Sequence, residues 1–328
     1  MGGFSLIEAL VAMVVLTLIL VVCFGILNTT EKAWKASSEK IDEFQAARSA
    51  FEKITRTLSL ATLNTYYDYY DSGRNRRLPS NASTFVPDVY GRQSELEFVS
   101  GKALVTGAHT QVTHSVFFTT PLGYTPTSDY SELGKLLNAI GFYIEFNSDA
   151  TERPDFLSLL SNPPAPRWRY RLLEFQQPSE NLAIYKVSDN SWIASALASA
   201  SPPVYVIAEN ILACVILPKA ANTSDNLASE YEYDSRTAWT SGTQPATMHQ
   251  LPPLVHIVLI AASEASMARL QNAATTPPDL GFSYAEVFQS AASLDQDLTT
   301  VTEALERKRI HFRVFQADVA LREARWSP

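Results

Sequence analysis

Between Ala9 and Leu27 the chain carries nineteen residues, of which only Thr17 and Gly25 are not plainly apolar. At about 1.5 Å per residue a helix from Phe4 to Leu27 covers roughly 36 Å, enough to cross the hydrocarbon core of a bilayer. No Lys or Arg precedes the run, which argues against a cleaved secretory signal and for a retained transmembrane segment. Beyond Leu27 the apolar positions narrow to a stripe: Trp34, Ile41, Phe44, Phe51, Ile54, Leu58 and Ala61 follow steps of three, four and seven residues. Charged residues of both signs surround the stripe, and no Pro or Gly interrupts it between Gly25 and Gly73. The pattern predicts one helix running to about Leu63, roughly 90 Å long, with an apolar first half and an amphipathic second half.

From Asn64 onward the pattern changes to alternation and to short runs rich in aromatic and β-branched residues. Strands are predicted over Ser94–Ser100, His114–Thr119, Ala139–Asn147, Trp168–Phe175, Val204–Leu217, Leu254–Ala262 and Ile310–Leu321, in a mainly antiparallel sheet. In the last run Ile310, Phe312 and Val314 hold one phase and Phe315, Ala317, Val319 and Leu321 the other, which predicts a bulge near Val314. A helix is predicted over Ser283–Arg309, where Phe288, Leu294, Leu298, Val301 and Leu305 fall at helical steps and Ser283 precedes Glu286 as in a capping box. A β-α-β segment then closes the chain. The stretches Asn64–Gln93, Thr120–Gly134, Asn147–Arg167 and Pro218–Pro253 read as long loops.

Composition adds a folded head and subtracts some functions. Hydrophobic residues make up 46% of the 328, and 26 Lys and Arg against 34 Asp and Glu leave a net charge of −8. Residues 1–63 hold as many basic as acidic side chains, so the whole excess lies in the remainder, and the balance argues against a protein held mainly by phosphate neutralisation, with room left for a small basic patch. No nucleic-acid partner is expected. Cys23 and Cys214 are too few for a disulfide framework.

Glu8 stands at the head of the apolar run, where an ionised carboxylate costs up to about 3 kcal/mol at a helix centre and less near an interface. Either it snorkels to the headgroups, or it meets a cation at the same depth, such as the α-amino group at Phe4 of a neighbouring chain. The residues Gly3-Phe4-Ser5-Leu6-Ile7-Glu8-Ala9-Leu10 resemble the processing and methylation motif of type IV pilins and type II secretion pseudopilins. That resemblance implies cleavage between Gly3 and Phe4 by a prepilin peptidase, N-methylation of Phe4, and Glu8 as the carboxylate that guides assembly. Further phrases resemble the narrower, Verrucomicrobia-type Verru_Chthon cassette protein C family: Leu63-Asn64-Thr65-Tyr66-Tyr67-Asp68, Arg92-Gln93-Ser94-Glu95-Leu96, His249-Gln250-Leu251-Pro252-Pro253 and Arg325-Trp326-Ser327. It implies no known reaction.

Catalytic spacing is not found. Nothing matches a P-loop, a G-x-S-x-G elbow, an H-E-x-x-H helix or paired C-x-x-C, so no enzyme activity, catalytic residue or cofactor is expected. All five histidines read as structural or exposed, since neither the His109/His114 nor the His249/His256 pair has helical ligand spacing. Asp68, Asp71, Glu232 and Asp234 place carboxylates among tyrosines in two loops, a weak calcium signal that some pseudopilins share; polar tips packing over the sheet are the simpler reading. Arg74, Arg76 and Arg77 form a small basic cluster on a turn, for which solvation is the simpler fate.

The expected architecture is therefore α+β and pilin-like: a leader at 1–3, a transmembrane and filament-core helix at 4–27, an amphipathic continuation at 28–63, and a globular head at 64–328. The long N-terminal helix packs on a mainly antiparallel sheet, and the β-α-β segment ends the head. The expected role is a structural minor subunit of a type IV pilus or type II secretion-like filament, its large head suiting a tip or priming position. Expected partners are other pilin-like subunits, the inner-membrane assembly platform, the prepilin peptidase and membrane lipid. The expected location is the bacterial inner membrane, single-pass, with the head in the periplasm and the subunit then taken into a filament. The rival readings are a membrane-tethered binding module that never polymerises and a tethered enzyme with a site built from distant residues.

Overall fold

The computed structural model describes residues 10, 13, 15–21, 23–25, 44–107, 109–221, 226–271 and 275–326. The chain divides into two units, Met1–Gln45 and Ala46–Pro328. In the first, residues 15–21 and 23–25 are helical. Among the described residues no helix is long and apolar enough to cross a membrane. The expected transmembrane helix, and with it the single-pass inner-membrane placement and the periplasmic head, is corrected on that finding. Gly3, Phe4, Glu8 and the stripe positions Trp34 and Ile41 lie outside the described residues.

The second unit opens on α1 (Gln45–Leu58), which buries Ala47, Ala50, Ile54, Thr57 and Leu58 along one face. The strip continues through Phe51, whose ring lies 5.7 Å from that of Phe315. The helix ends where the N–H groups of Leu60 and Ala61 turn back to the carbonyls of Thr57 and Leu58, at 3.0 and 2.9 Å, and Thr62 N–H goes instead to the Thr119 carbonyl. At fourteen residues, α1 is roughly 21 Å long. The fold class is accordingly corrected: the described chain is mixed α/β and mostly strand, with short helices, and no long N-terminal helix is shown.

Then follow β1 (Tyr66–Tyr70), β2 (Val89–Gln93), β3 (Phe98–Gly101), β4 (Ser115–Thr120), β5 (Asn138–Ser148) and β6 (Trp168–Gln177). After these come α2 (Ser191–Leu197), β7 (Val204–Glu209), β8 (Ile211–Lys219), β9 (Tyr233–Asp234) and β10 (Leu254–Ala262). The chain closes with α3 (Glu264–Gln271), α4 (Leu294–Arg307) and β11 (Phe312–Ala320). The strands form a six-stranded sheet, β7-β6-β5-β4-β3-β9, a three-stranded sheet, β11-β10-β8, and the ribbon β1-β2. Every pairing of these strands is antiparallel.

Both faces of the central strands β4, β5 and β6 are largely buried, whereas β7 at the edge is part-exposed. On one phase Phe118 lies between Phe98 and Phe142, at ring separations of 6.2 and 6.4 Å. On the other, Phe117 meets Phe175 at 5.6 Å and Trp192 of α2 at 6.1 Å. Strand β8 runs against β4, β5 and β6, so its continuous apolar sequence is buried from Ile211 to Pro218. Its outer edge is met by Thr113 and His114: Thr113 Oγ1 bonds both Cys214 N–H and its carbonyl, and His114 Nδ1 accepts from Ile216 N–H at 3.4 Å.

Several expectations on single elements change. The run Val204–Leu217 is two strands in different sheets, because Asn210 takes φ 59 and turns the chain between them. β11 pairs with β10 in unbroken register from Leu254↔Ala320 to Ala262↔Phe312, without the bulge near Val314; the shift falls instead between Ile260 and Ala261, on the β8 side. Ser283 opens a turn, and the α-helix starts only at Leu294, since Phe288 sits at φ 56 with its N–H held by Asp297 Oδ2 at 2.8 Å. Two helices, α3 and α4, separate β10 from β11.

Candidate functional site

The connection from β2 to β3 carries two carboxylates in opposite surroundings. Glu95 is part-exposed and satisfied: Tyr66 OH and Arg76 Nη1 donate to Oε1 at 2.5 and 3.1 Å, and Asn64 Nδ2 donates to Oε2 at 2.6 Å. Burial works to raise its pKa, but these donors hold it below the ordinary carboxylate range. Glu97 has no exposed surface. Trp192 Nε1 donates to its Oε2 at 2.6 Å and Arg236 Nη1 lies 3.3 Å from the same oxygen, while Oε1 has no hydrogen-bond partner. Burial outweighs both donors and pushes the Glu97 carboxyl up to about 7.

Arg236, just past β9, ties this carboxylate to two separate backbone segments through three carbonyls. Its Nη1 donates to the Val187 carbonyl at 3.0 Å, and its Nη2 donates to those of Glu95 and Ile184 at 2.7 and 3.0 Å. The same turn places His249, whose N–H donates to the Ser235 carbonyl at 2.7 Å and whose carbonyl accepts from Thr65 Oγ1 at 2.8 Å. Held at both ends, His249 adopts φ 55, a left-handed conformation that costs an L-residue about 1–2 kcal/mol. Its ring is buried and Nδ1 has no partner. Burial, reinforced by Arg236, Arg76 and Arg92, pushes the imidazole down to about 4, so it is neutral at pH 7.

Beside Arg236 and His249 a cleft of about 220 Å³ opens, lined also by Gln93, Ser94 and Glu95 of the β2–β3 connection and by the Ile184–Ser188 segment. His249 and Arg236 line this cleft, whereas Glu97, with no exposed surface, lies outside its lining and is reached through Arg236; perturbed groups gathered beside a cleft are a functional-site signal. The cleft can take a small polar ligand, but no nucleophile is assembled there: His249 Nδ1 bonds to no hydroxyl or thiol. Cys214 is fully buried, and burial pushes its thiol up to about 12, so it is no thiolate at neutral pH. His114 is structural; its Nε2 faces the Phe288 carbonyl at 3.2 Å and its ring stacks on Tyr231 at 4.3 Å.

The residues singled out for calcium are not brought together. Asp68 Oδ1 accepts from Tyr69 N–H at 2.8 Å, and Asp71 Oδ1 accepts from Asn75 N–H at 2.8 Å, both beside the β1–β2 ribbon. Glu232 and Asp234 belong to the region of β9 in the six-stranded sheet, where Asp234 Oδ1 accepts from Arg236 N–H at 2.6 Å. Among the described residues no three His, Cys, Asp or Glu gather as a metal site. The basic cluster is also divided: Arg74 pairs with Asp88 at 2.7 Å and covers Trp239, whereas Arg76 turns to Glu95. Sequence reasoning missed Glu97, Arg236 and Trp192. One signal was available for Glu97, which shares the alternation phase of Val99 in a strand-like run and so points a carboxylate into a core. No family model matches this chain, and no curated protein is similar to it.

Proposed function

We propose that this chain is a structural, non-catalytic subunit of a pilin-like filament, in which the apolar N-terminal segment packs against the like segments of other subunits and the head is carried at a tip or priming position. The observation that carries the reading is the exposure of that segment: nine large apolar side chains between Leu10 and Phe24 are 48% to 71% exposed. A segment apolar on all sides is stable only when covered, since each such side chain gains about 1.5–3 kcal/mol on full burial. The resemblance of Gly3–Leu10 to the pilin processing motif supplies the partner class: other pilin-like subunits, after a peptidase has freed Phe4. Glu8 then receives the methylated α-amine of a neighbour and sets the register between segments.

The test is twofold. Mass spectrometry of protein from cells with an active prepilin peptidase should give a methylated terminus at Phe4. Glu8→Ala should leave the head folded and abolish co-purification with pilin-like subunits. An intact Met1 terminus, or wild-type association of the Glu8→Ala protein, would refute the reading.

A further inference from the structure

Two surfaces of the head built from uncharged side chains stand in solvent. The first is the ribbon β1-β2, one face of which is fixed to the body. Tyr70 meets Trp239 edge-on at 5.1 Å, and a Cβ at Gly91 would lie 2.8 Å from Trp239 Cζ3. Gln244 closes the outer edge of β2, accepting from Arg92 N–H and donating to its carbonyl, each at 2.8 Å. Tyr67, Tyr69 and Tyr90 fall on the other face, with Tyr69 directly opposite Tyr90. Their rings form a row, Tyr90 lying 5.4 Å from Tyr67 and 5.0 Å from Tyr69, and all three are more than half exposed.

The second surface is the run Pro163-Pro164-Ala165-Pro166 between β5 and β6. Each proline fixes its own φ near −65° and pushes the residue before it out of the helical region, so Pro163 and Ala165 are extended as well. Residues 163–167 accordingly belong to no helix, strand or turn. In the polyproline II form that these constraints impose, Pro163 and Pro166 stand one turn apart on the same edge. The run is held from the body side. Asp149 Oδ1 accepts from Arg153 Nε at 2.8 Å, and the rest of that guanidinium donates to the carbonyls of Pro164 and Ala165. Asp149 also accepts from Arg167 N–H at 2.8 Å and gives its own N–H to the Arg167 carbonyl at 3.0 Å. All four residues of the run are exposed. Just before it, Leu159 is the most exposed large apolar side chain among the described residues, at 85%.

A preformed proline ridge is what aromatic-lined surfaces recognise, because its rings pack on aromatic faces and little ordering entropy is lost on docking. One turn of the ridge is about 9 Å long, close to the reach of a row whose two steps are 5.4 and 5.0 Å. Within one chain the two surfaces do not cover each other, since both are exposed. Neither is built from charged side chains, so on a head whose excess charge is negative they are where two copies meet with least repulsion. We propose that the Pro163–Pro166 ridge of one copy seats on Tyr67, Tyr69 and Tyr90 of a second copy, in a head-to-tail contact. Alone the contact is weak, and dilute heads stay apart. It acts once the N-terminal segments have brought copies together, and in that respect it rests on the filament reading.

The test uses the full chain in mild detergent and a capped Ser-Asn-Pro-Pro-Ala-Pro peptide, with saturation-transfer NMR as the readout. The peptide should bind with a dissociation constant of about 1 mM, the range of local concentration between tethered modules, and its proline rings should take up most of the transferred signal. Tyr67→Ser combined with Tyr90→Ser should weaken binding about tenfold, whereas Tyr67→Phe combined with Tyr90→Phe should keep it. A peptide with alanine for its first and last prolines should bind more weakly by a similar factor. Unchanged circular dichroism of the variants confirms that the fold is kept. Undiminished binding to the serine variant, equal binding of the alanine peptide, or no transfer at about 10 mM peptide overturns the proposal. Displacement of the peptide by maltohexaose at equal concentration would assign the tyrosine row to a glycan and overturn it for the proline ridge. The peptide reports on the contact without assembly: its failure to bind while Glu8-dependent co-purification persists overturns the contact alone, and the converse overturns the filament reading alone.

Discussion

Glu97 and the two buried histidines pull stability in opposite directions as pH changes. The folded-state pKa of Glu97 is raised to about 7, so its contribution is fully present below the unfolded value near 4.5 and is lost as pH rises through 7, a change of about 3 kcal/mol. His249 and His114 are depressed to about 4 and about 3. Their contributions are present above about 6.5 and are lost as pH falls toward those values. Between pH 6.5 and 5 two falling contributions oppose one rising one, so the urea midpoint should decrease as the solution is acidified. Glu97→Gln removes the opposing contribution and should make that decrease steeper; parallel curves for the two proteins would show that Glu97 does not titrate there. A second residue-scale prediction concerns Gly141, which faces Phe117 across the β4–β5 pair. A Cβ at Gly141 would lie 2.2 Å from Phe117 Cδ1, so Gly141→Ala should cost about 3 kcal/mol by overpacking. Phe117→Leu should relieve part of that cost, and a denaturation cycle of the four proteins measures the coupling.

At the scale of elements, side chains join parts of the head that no strand ladder connects. Arg236 connects the end of β9 to the β2–β3 connection and to the segment before α2 through three carbonyls and Glu97. Arg236→Met leaves those carbonyls without a donor and Glu97 without a cation, which should destabilise the head by about 3–5 kcal/mol at pH 8. At pH 5, where Glu97 is protonated, the same substitution should cost less, and thermal unfolding at the two pH values tests the difference. Strand positions were legible wherever alternation or a buried apolar run persisted. Leu254–Ala262 is a strand over its predicted span, and β4, β5 and β6 fall within a few residues of theirs. β1 and β2 were read as loop because Tyr66–Tyr70 is interrupted by Asp68 and the ribbon leaves much of both strands in solvent. The Glu209-Asn210 pair is a short polar break between two apolar runs, Val204–Ala208 and Ile211–Leu217, that share the signature of one strand, and only the left-handed backbone of Asn210 sends β7 and β8 to different sheets.

On the scale of the whole molecule, the exposed apolar side chains of the first unit and the buried core of the second lead to one further expectation. The full chain should self-associate in dilute buffer, whereas a fragment beginning at Phe44 should sediment as a monomer and unfold with the transition of the intact head. A full chain that stays monomeric would remove the main support for assembly through the N-terminal segment. The acidic excess belongs to residues beyond 63, and like charge of this size disfavours association of heads with one another.

By itself the sequence determined the apolar character of the N-terminal run, the amphipathic phase of α1 and the location of most strands, because each follows from a local period of side chains. It also placed Gly3, Phe4 and Glu8 in a recognisable order, a property of sequence alone. Only the tertiary structure decided where helices stop, which strands share a sheet, and that α1 is a short helix ending at Leu58. Glu97, Trp192, Arg236 and His249 are far apart in the chain and carry no common spacing. Their meeting, and the pKa values that it shifts, exist only because β3, α2 and the turn after β9 exclude water from the same place.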